Sequence, residues 1–486
     1  MLGSSPPNLV AIDLGGESCR VSLLQWKGGA PQIELVHRFP NAPVQQGGSL
    51  HWNLSYILSQ LERGLHRCAQ HSPAPIAAIG VDGWAVDYVR LGSDQLPLAA
   101  PFCYRDLRTQ AAETAMRSRI SNEELFRISG VQPLRINTLY QLAADRIAGV
   151  PAHARWVNLP EYVLAHLGGR RVAEYTSATH TGLVDSTTRQ WSSSLFDLCG
   201  SDIGAAPELV PTGTEIGTVQ GSLHQLPAFA STRLIAPACH DTASAVAGIP
   251  AQGDDWAYIS SGTWSLVGAL LDHPILSPQA CTAGFTNLGA AGGRICFHKN
   301  VNGMWLLQQV FAQLCPTPGM WPMTELLATC ERVPTPAHLL DLDDASLLLP
   351  GRATGHRLEQ DTMATRINAQ RAQHGLEPLP QDASAMPIFA SLIFHSLAQH
   401  YVKVLGDFER LTGRRIQRIW VVGGGSLNPL LNRLTAGATG REVCRGVAES
   451  STIGNLAVQL ATLEGEPNAS SRIAHWARIL TAPGQA

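Results

Sequence analysis

The chain has 486 residues, with 35 Lys and Arg against 38 Asp and Glu, a formal net charge of −3. That length predicts two or three domains, and 45% hydrophobic against 15% charged residues provides for an ample globular core. The near-neutral balance lacks the basic surface that a nucleic-acid or anionic-membrane partner requires. Lysine is confined to Lys27, Lys299 and Lys403, followed by Gly28, Asn300 and Val404. A G-x-x-x-x-G-K-[ST] phosphate loop is therefore excluded. The ten cysteines show no C-x-x-C spacing, which disfavours zinc-ribbon and thioredoxin-like chemistry. Residues 1–8 carry neither the basic nor the apolar region of a signal peptide, and no apolar run reaches about 18 residues. The expectation is a soluble cytoplasmic protein with free thiols.

Leu9-Val10-Ala11-Ile12-Asp13 is a short apolar run suited to a buried strand. Gly15-Gly16 reads as a turn, and residues 21–26 and 33–39 as two further strands. Ile57, Leu58, Leu61, Leu65 and Cys68 recur at helical spacing, which predicts a helix over 56–68. Residues 76–81 and 86–91 read as strands on either side of Asp82-Gly83. A similar order returns later: a strand over 256–259, a turn at Ser260-Ser261-Gly262, and a strand over 263–271. A long helix over 388–412 and a buried strand over 419–422 follow, the strand running into Gly423-Gly424-Gly425. The recurrence predicts two α/β domains, 1–249 and 250–486, with the boundary where Gly, Pro, Gln and Asp cluster. Two such lobes imply a cleft for a small molecule.

The loops at the strand ends hold the residues suited to chemistry. In Asp13-Leu14-Gly15-Gly16-Glu17-Ser18-Cys19-Arg20, glycines let backbone N–H groups approach an anion. Ser18 can donate to a phosphate oxygen, and Asp13 can hold a hydrated Mg²⁺. Ser260-Ser261-Gly262-Thr263-Trp264-Ser265 is the corresponding turn of the second half, and its hydroxyls read either as a second phosphate clasp or as an ordinary Ser/Thr-rich turn. Gly423-Gly424-Gly425-Ser426-Leu427-Asn428 lacks the G-x-G-x-x-G spacing of a dinucleotide fold. Asp241, before the small residues 243–248, is either a helix N-cap or a general base at a helix start. As a base it would be kept ionised by the helix N-terminus and would act by positioning. Trp84, between Asp82 and Asp87, is either an indole face for a polyol with acids for its hydroxyls or a core Trp beside a turn Asp.

These loops, in this order, resemble the FGGY carbohydrate kinases of the actin-like ATPase superfamily. The stretches that carry the resemblance are 10–20, 80–88, 104–109, 137–142, 174–181, 240–248, 258–268, 286–294, 299–308, 421–428 and 449–455. The His-Asp-Thr-Ala-Ser-Ala-Val run, the Ser-Ser-Gly-Thr-Trp-Ser run and Asn300 look like the rhamnulokinase branch. The resemblance implies two actin-like, ribonuclease H-like domains with mixed sheets flanked by helices. It implies ATP and Mg²⁺ as cofactors, a sugar as partner, and an active site in the cleft between the domains. Asp241 matches the base that deprotonates the 1-hydroxyl of L-rhamnulose, and Asp13 the acid that holds Mg²⁺ through water. Gly16, Glu17, Ser18, Cys19, Arg20, Thr263, Gln308, Gly424 and Gly425 match nucleotide contacts. Ala85, His240, Asp241, Thr242 and Asn300 match sugar contacts. Glu17 and Cys19 depart from the small or hydroxyl residues usual in that hairpin, and a carboxylate near phosphate would weaken nucleotide binding. A kinase for fuculose or xylulose, or a sugar or nucleotide sensor without turnover, remain the alternative expectations, as do a monomer and a homodimer.

Overall fold

The first apolar run forms strand β1 (Asn8–Leu14), and both of its faces are covered. Val10, Ile12 and Leu14 join Ile57, Leu61 and Leu65 of helix α1 (Leu54–His71) in one core cluster. Leu9 and Ala11 face the other way, into a cluster built with residues from the end of the chain. A strand buried on both faces has no use for polar alternation, which is why the run is continuously apolar. The computed structural model describes residues 6–317, 319–347 and 362–482. Residues 1–5 of the N-terminal reading therefore lie outside it.

β2 (Ser18–Lys27) and β3 (Ala30–Pro40) continue from β1 as an antiparallel meander. Asn53 caps α1 by accepting from the Tyr56 N–H. β4 (Ile76–Gly83) then returns parallel to β1. A short helix α2 (Tyr175–Thr179) precedes β5 (Thr214–Thr218) and β6 (Arg233–Ala236), and α3 (Asp241–Ala247) follows them. The sheet order is β5-β6-β4-β1-β2-β3, with β6 parallel to β4. Three parallel strands thus end at one edge, and that edge is where open α/β sheets place their ligands.

The wiring repeats in the second half. β7 (Trp256–Ser261) and β8 (Trp264–Leu271) form an antiparallel hairpin in which Ser261 pairs with Ser265. β9 (Ile295–Asn302), helix α4 (Trp305–Leu314) and the long helix α5 (Met386–Thr412) follow. β10 (Arg418–Val422) then pairs parallel with β7, and β11 (Glu442–Arg445) pairs parallel with β10. The six-stranded sheet runs from an edge strand, Phe285–Gly289, through β9-β8-β7-β10-β11. Hairpin, long helix, then a strand parallel to the first strand of the hairpin is the pattern of both sheets. It is a mixed-sheet α/β architecture in each unit.

The last two helices are α6 (Ser450–Leu463) and α7 (Ser470–Leu480). They belong to the first compact unit. That unit comprises the described residues within Met1–Gln252, Leu270–Phe297 and Glu449–Ala486; Gly253–Ala269 and His298–Ala448 hold the second. A single division near residue 249 separates the family of loops in chain order but not these compact units. The reason is apolar: Ile453, Leu456, Leu460, Ile473, Trp476 and Leu480 cover Leu9, Ala11, Ala78 and Ile235, the second face of the first sheet. Among the described residues no helix is long and apolar enough to cross a membrane.

α3 and α6 meet through glycines. A Cβ on Gly454 would collide with the Ser244 carbonyl and lie 2.8 Å from the Gly248 nitrogen; one on Gly248 would collide with the Ser450 carbonyl. The Ser450 hydroxyl donates to the Ala245 carbonyl at 2.8 Å across the same contact. Gly454→Ala forces the helices apart and is expected to cost about 1–3 kcal/mol, read as a lower thermal midpoint. A midpoint within about 1 °C of the parent would show that the contact yields without cost.

Candidate functional site

In the first unit the turn between β1 and β2 holds the expected acid and glycines. Asp13 is buried, and its Oδ2 accepts from Arg20 Nη1 at 3.0 Å and from the Ser451 hydroxyl at 2.7 Å. Arg20 also meets Glu449 at 3.2 Å. Gly16 and Ser18 are half-buried and Glu17 is exposed. Ser18 Oγ accepts from Arg38. Cys19 is fully buried, and its thiol donates to the Gly15 carbonyl at 3.7 Å. Burial, with the Asp13 charge second, pushes that thiol up to about 12. Its side chain therefore belongs to the core. The guanidinium of Arg105 comes within 3.8 Å of where a Gly16 Cβ would stand, and Glu17 is within its electrostatic reach. Sequence reasoning missed this arginine. It is held by its neighbour Tyr104, whose hydroxyl accepts from Nε at 3.2 Å. A solvent-facing carboxylate beside a cation is screened, so the charge that Glu17 brings to the turn is largely offset.

Two more acids stand at the same sheet edge. Asp82 pairs in register with Asp13 across β4 and β1. It has no exposed surface; Oδ2 accepts from Asn455 at 2.6 Å and Oδ1 has no hydrogen-bond partner. Burial first, and the Asp13 charge second, push its pKa well up. Asp241 opens α3, with His240 in the N-cap position, so it is the first helical residue and not the cap. About 37% of its side chain stays open. Burial of the remainder, then the Asp13 charge, push it up to about 7, against opposing help from Thr242 and Arg20. The expectation that the helix N-terminus keeps it ionised meets the opposite pull here: burial first, and the Asp13 charge second, favour the protonated form. Thr242 Oγ1 donates to Asp241 Oδ1 at 3.2 Å, and His240 Nε2 lies 3.2 Å from the same oxygen. The structure thus gathers Asp13, Gly16, Ser18, Arg20, His240, Asp241 and Thr242 within one unit, with Asp82 added.

The Trp84 segment takes the core reading of its two. Trp84 is only 7% exposed and lies against Trp52 with ring centroids 4.4 Å apart. Asp87 is fully buried; Oδ2 accepts from Trp52 Nε1 at 2.6 Å, Trp84 Nε1 at 3.0 Å and the Tyr104 N–H at 3.2 Å. Oδ1 accepts from Gln141 Nε2 at 3.1 Å. The indole and this acid are therefore internal framework, with no face left for a polyol. What they hold is Ala85-Val86. Val86 has φ of 72°, a region a β-branched residue seldom adopts. Its carbonyl accepts from Thr138 Oγ1 at 2.7 Å and from Gln141 at 3.1 Å, which maintain the strained turn.

In the second unit the corresponding turn gathers its own set. The Met304 and Trp305 N–H groups donate to the Gly262 and Thr263 carbonyls at 3.0 and 3.1 Å. The start of α4 therefore docks on the turn, and Gln308 follows one helical turn later, exposed. Gly423, with φ of +78°, comes so close that a Cβ would lie 2.9 Å from the Ser261 carbonyl oxygen. Thr263, Gln308, Gly424 and Gly425 thus surround one hairpin. Asn300 is exposed on β9. Its neighbour Lys299 is committed elsewhere: Nζ meets Asp343 Oδ1 at 3.0 Å, and Lys403 meets Oδ2 at 2.5 Å. Against the cost of burial, those two lysines hold Asp343 at about 2. Lys299 is thereby a structural cation.

A model of the N-terminal domain of the FGGY family of carbohydrate kinases matches residues 8–248, and one of its C-terminal domain matches residues 257–463. A protein of Enterococcus faecalis named rhamnulokinase is 35% identical over 454 residues, 93% of this chain and 88% of that protein. One of Bacteroides thetaiotaomicron with the same name is 34% identical over 459 residues, 94% and 91%. The crystal structure of a gluconate kinase from Lactobacillus acidophilus has a TM-score of 0.76 at 16% identity, covering 97% of this chain and 92% of that one. That likeness establishes the fold as the actin-like α/β type.

Asp87→Ala strands three donors at once, the Trp52 and Trp84 indoles and the Tyr104 N–H. It is expected to lower stability by about 3 kcal/mol or more, measured as the urea midpoint. A change below about 1 kcal/mol would mean that water replaces the carboxylate without loss.

Proposed function

This chain belongs to the FGGY family of carbohydrate kinases, and we propose that it phosphorylates the 1-hydroxyl of L-rhamnulose with ATP, giving L-rhamnulose 1-phosphate and ADP. The observation that carries this reading is Asp241: a partly open carboxylate at a sheet edge, pushed up to about 7 and beside the Asp13–Arg20 hairpin. A base near neutrality takes a hydroxyl proton better than an ordinary aspartate does. The printed names of the two relatives support the sugar.

In this reading the sugar O1–H bond breaks and the proton passes to Asp241. O1 bonds to the γ-phosphorus as the bond to the β-phosphate oxygen breaks and ADP leaves. Such transfer is governed by positioning and charge. The backbone N–H groups of Gly16, Glu17, Ser18 and Cys19, with Arg20, would take phosphate oxygens from the first unit. Thr263, Gln308, Gly424 and Gly425 would take the nucleotide from the second. Ala85, His240, Thr242 and Asn300 would contact the sugar. The residues present fit a magnesium ion: Asp13 and Asp82 offer hard oxygen donors, and Asp82 Oδ1 is buried without a partner. Those two would hold it, with water between the ion and Asp13. When bound it supplies positive charge against the phosphates.

An ADP-release assay over L-rhamnulose, L-fuculose, D-xylulose and L-rhamnose tests the substrate. The expected result is kcat/KM at least about tenfold higher with L-rhamnulose than with any other. Preference for another ketose would reassign the sugar, and a ligand-induced thermal shift without ADP release would favour a sensor. Asp241→Asn is expected to lower kcat by about 10²–10⁴-fold while ATP affinity by calorimetry stays within about twofold. Because the base acts ionised, kcat/KM of the parent should fall about tenfold per pH unit below about 7. Undiminished turnover in the variant would remove Asp241 from that role.

A further inference from the structure

Asp241 is the end of a chain of three side chains. His240 Nε2 lies 3.2 Å from Asp241 Oδ1, and His240 Nδ1 lies 3.0 Å from His180 Nε2. The two rings are 3.8 Å apart, centroid to centroid, at 50°. A neutral imidazole carries a single N–H, so the two contacts of His240 decide each other. When Nδ1 accepts a proton from His180 Nε2, the N–H of His240 must sit on Nε2, directed at the carboxylate. We propose that His180 is a positioning residue that locks His240 in its Nε2–H form and so keeps Asp241 an oriented, ionised acceptor. The proposal rests on the reading of Asp241 as the base.

The same short helix that leads into His180 also grips the backbone that carries His240. At its beginning, Thr176 Oγ1 accepts from the His240 N–H at 3.2 Å. Glu174 Oε2 accepts from the Cys239 N–H at 2.9 Å and from the Thr176 N–H at 3.0 Å. At its end, the Thr179 hydroxyl oxygen accepts from the Gly289 N–H at 2.9 Å, and Asn137 Nδ2 donates to the His180 carbonyl at 3.1 Å. Residues 239–240 are thus held by main chain at one end of α2 and by an imidazole at the other. A contact supported on both sides in this way holds an angle, which a hydrogen-bonded tautomer needs.

The charged and titratable groups around this chain come from several elements. Asp13 and Arg20 face Asp241 from β1 and β2, and Asp82 from β4. Glu174 and Glu161 lie buried behind α2, and Tyr175 with Arg189 flanks it. Arg20 pairs with Asp13 and Glu449. His180 therefore acts on the one Asp241 oxygen that His240 shares with Thr242.

His180→Leu removes the donor that favours the Nε2–H form, so His240 can present a lone pair to the carboxylate, which favours protonated Asp241. The acid limb of kcat/KM is expected to move up by about one pH unit, a loss of about tenfold near pH 6, with little loss near pH 8.5 and an unchanged KM for ATP. His180→Gln, whose amide still donates, should keep the parent profile. An unshifted acid limb in His180→Leu, or equal losses in both variants, would overturn the proposal. ¹⁵N spectra of imidazole-labelled protein give a readout apart from turnover: His240 protonated on Nε2 in the parent and on both nitrogens in exchange in His180→Leu. A parent His240 protonated on Nδ1 would also overturn it. Asp241→Asn is measured alongside: if it turns over normally the base assignment falls, while the spectra still decide whether His180 locks His240.

Discussion

Three carboxylates, on Asp13, Asp82 and Asp241, stand at the edge where the parallel strands of the first sheet end, and the Asp13 charge adds to burial in raising the proton affinity of the other two. Burial makes each of them costly, and much of the surrounding structure offsets that cost. Arg20 pairs with Asp13 at 3.0 Å, Asn455 donates to Asp82 at 2.6 Å, and His240 and Thr242 meet Asp241. The support is unequal. Asp13 has a full counter-charge, Asp82 has a neutral donor on one oxygen, and Asp241 keeps an open edge. That gradient separates an acid with its own counter-charge from one pushed well up and one pushed up to about 7.

The helix that closes the first sheet does two jobs at once. Its apolar face buries Leu9, Ala11 and Ile235, and its polar residues Ser451 and Asn455 reach the acids. The close glycine contact with α3 ties that helix to the element that begins with Asp241. Stability and site geometry are therefore coupled through α6. A substitution that shifts this helix shifts the donors of Asp13 and Asp82 together.

Several site residues were legible as residues but not as roles. Asp13, Gly16, Ser18 and Arg20 stand out because a hairpin with two glycines, an acid and a hydroxyl is local chemistry. Cys19 occupies the same turn, yet strand alternation turns its thiol inward. Trp84 and Asp87 look like a sugar face in sequence and prove to be internal, because Trp52, Tyr104 and Gln141 come from distant segments to occupy them. Arg105 and His180 lie in stretches that carry the family resemblance but were not legible as site residues; His180 matters through His240, 60 positions away.

Local patterning by itself determined the first strands of each half, the strand before the glycine run, the two long helices, the two glycine hairpins and their recurrence. Alternation, helical spacing and turn chemistry act over a few residues, so they survive without tertiary context. The motifs likewise determined the family. Only the tertiary structure decided which unit the last helices join, which acids share an edge, and which direction the pKa of Asp241 moves. Those outcomes depend on contacts such as Ser451 with Asp13, separated by 438 positions, and on burial, which no short window of residues contains.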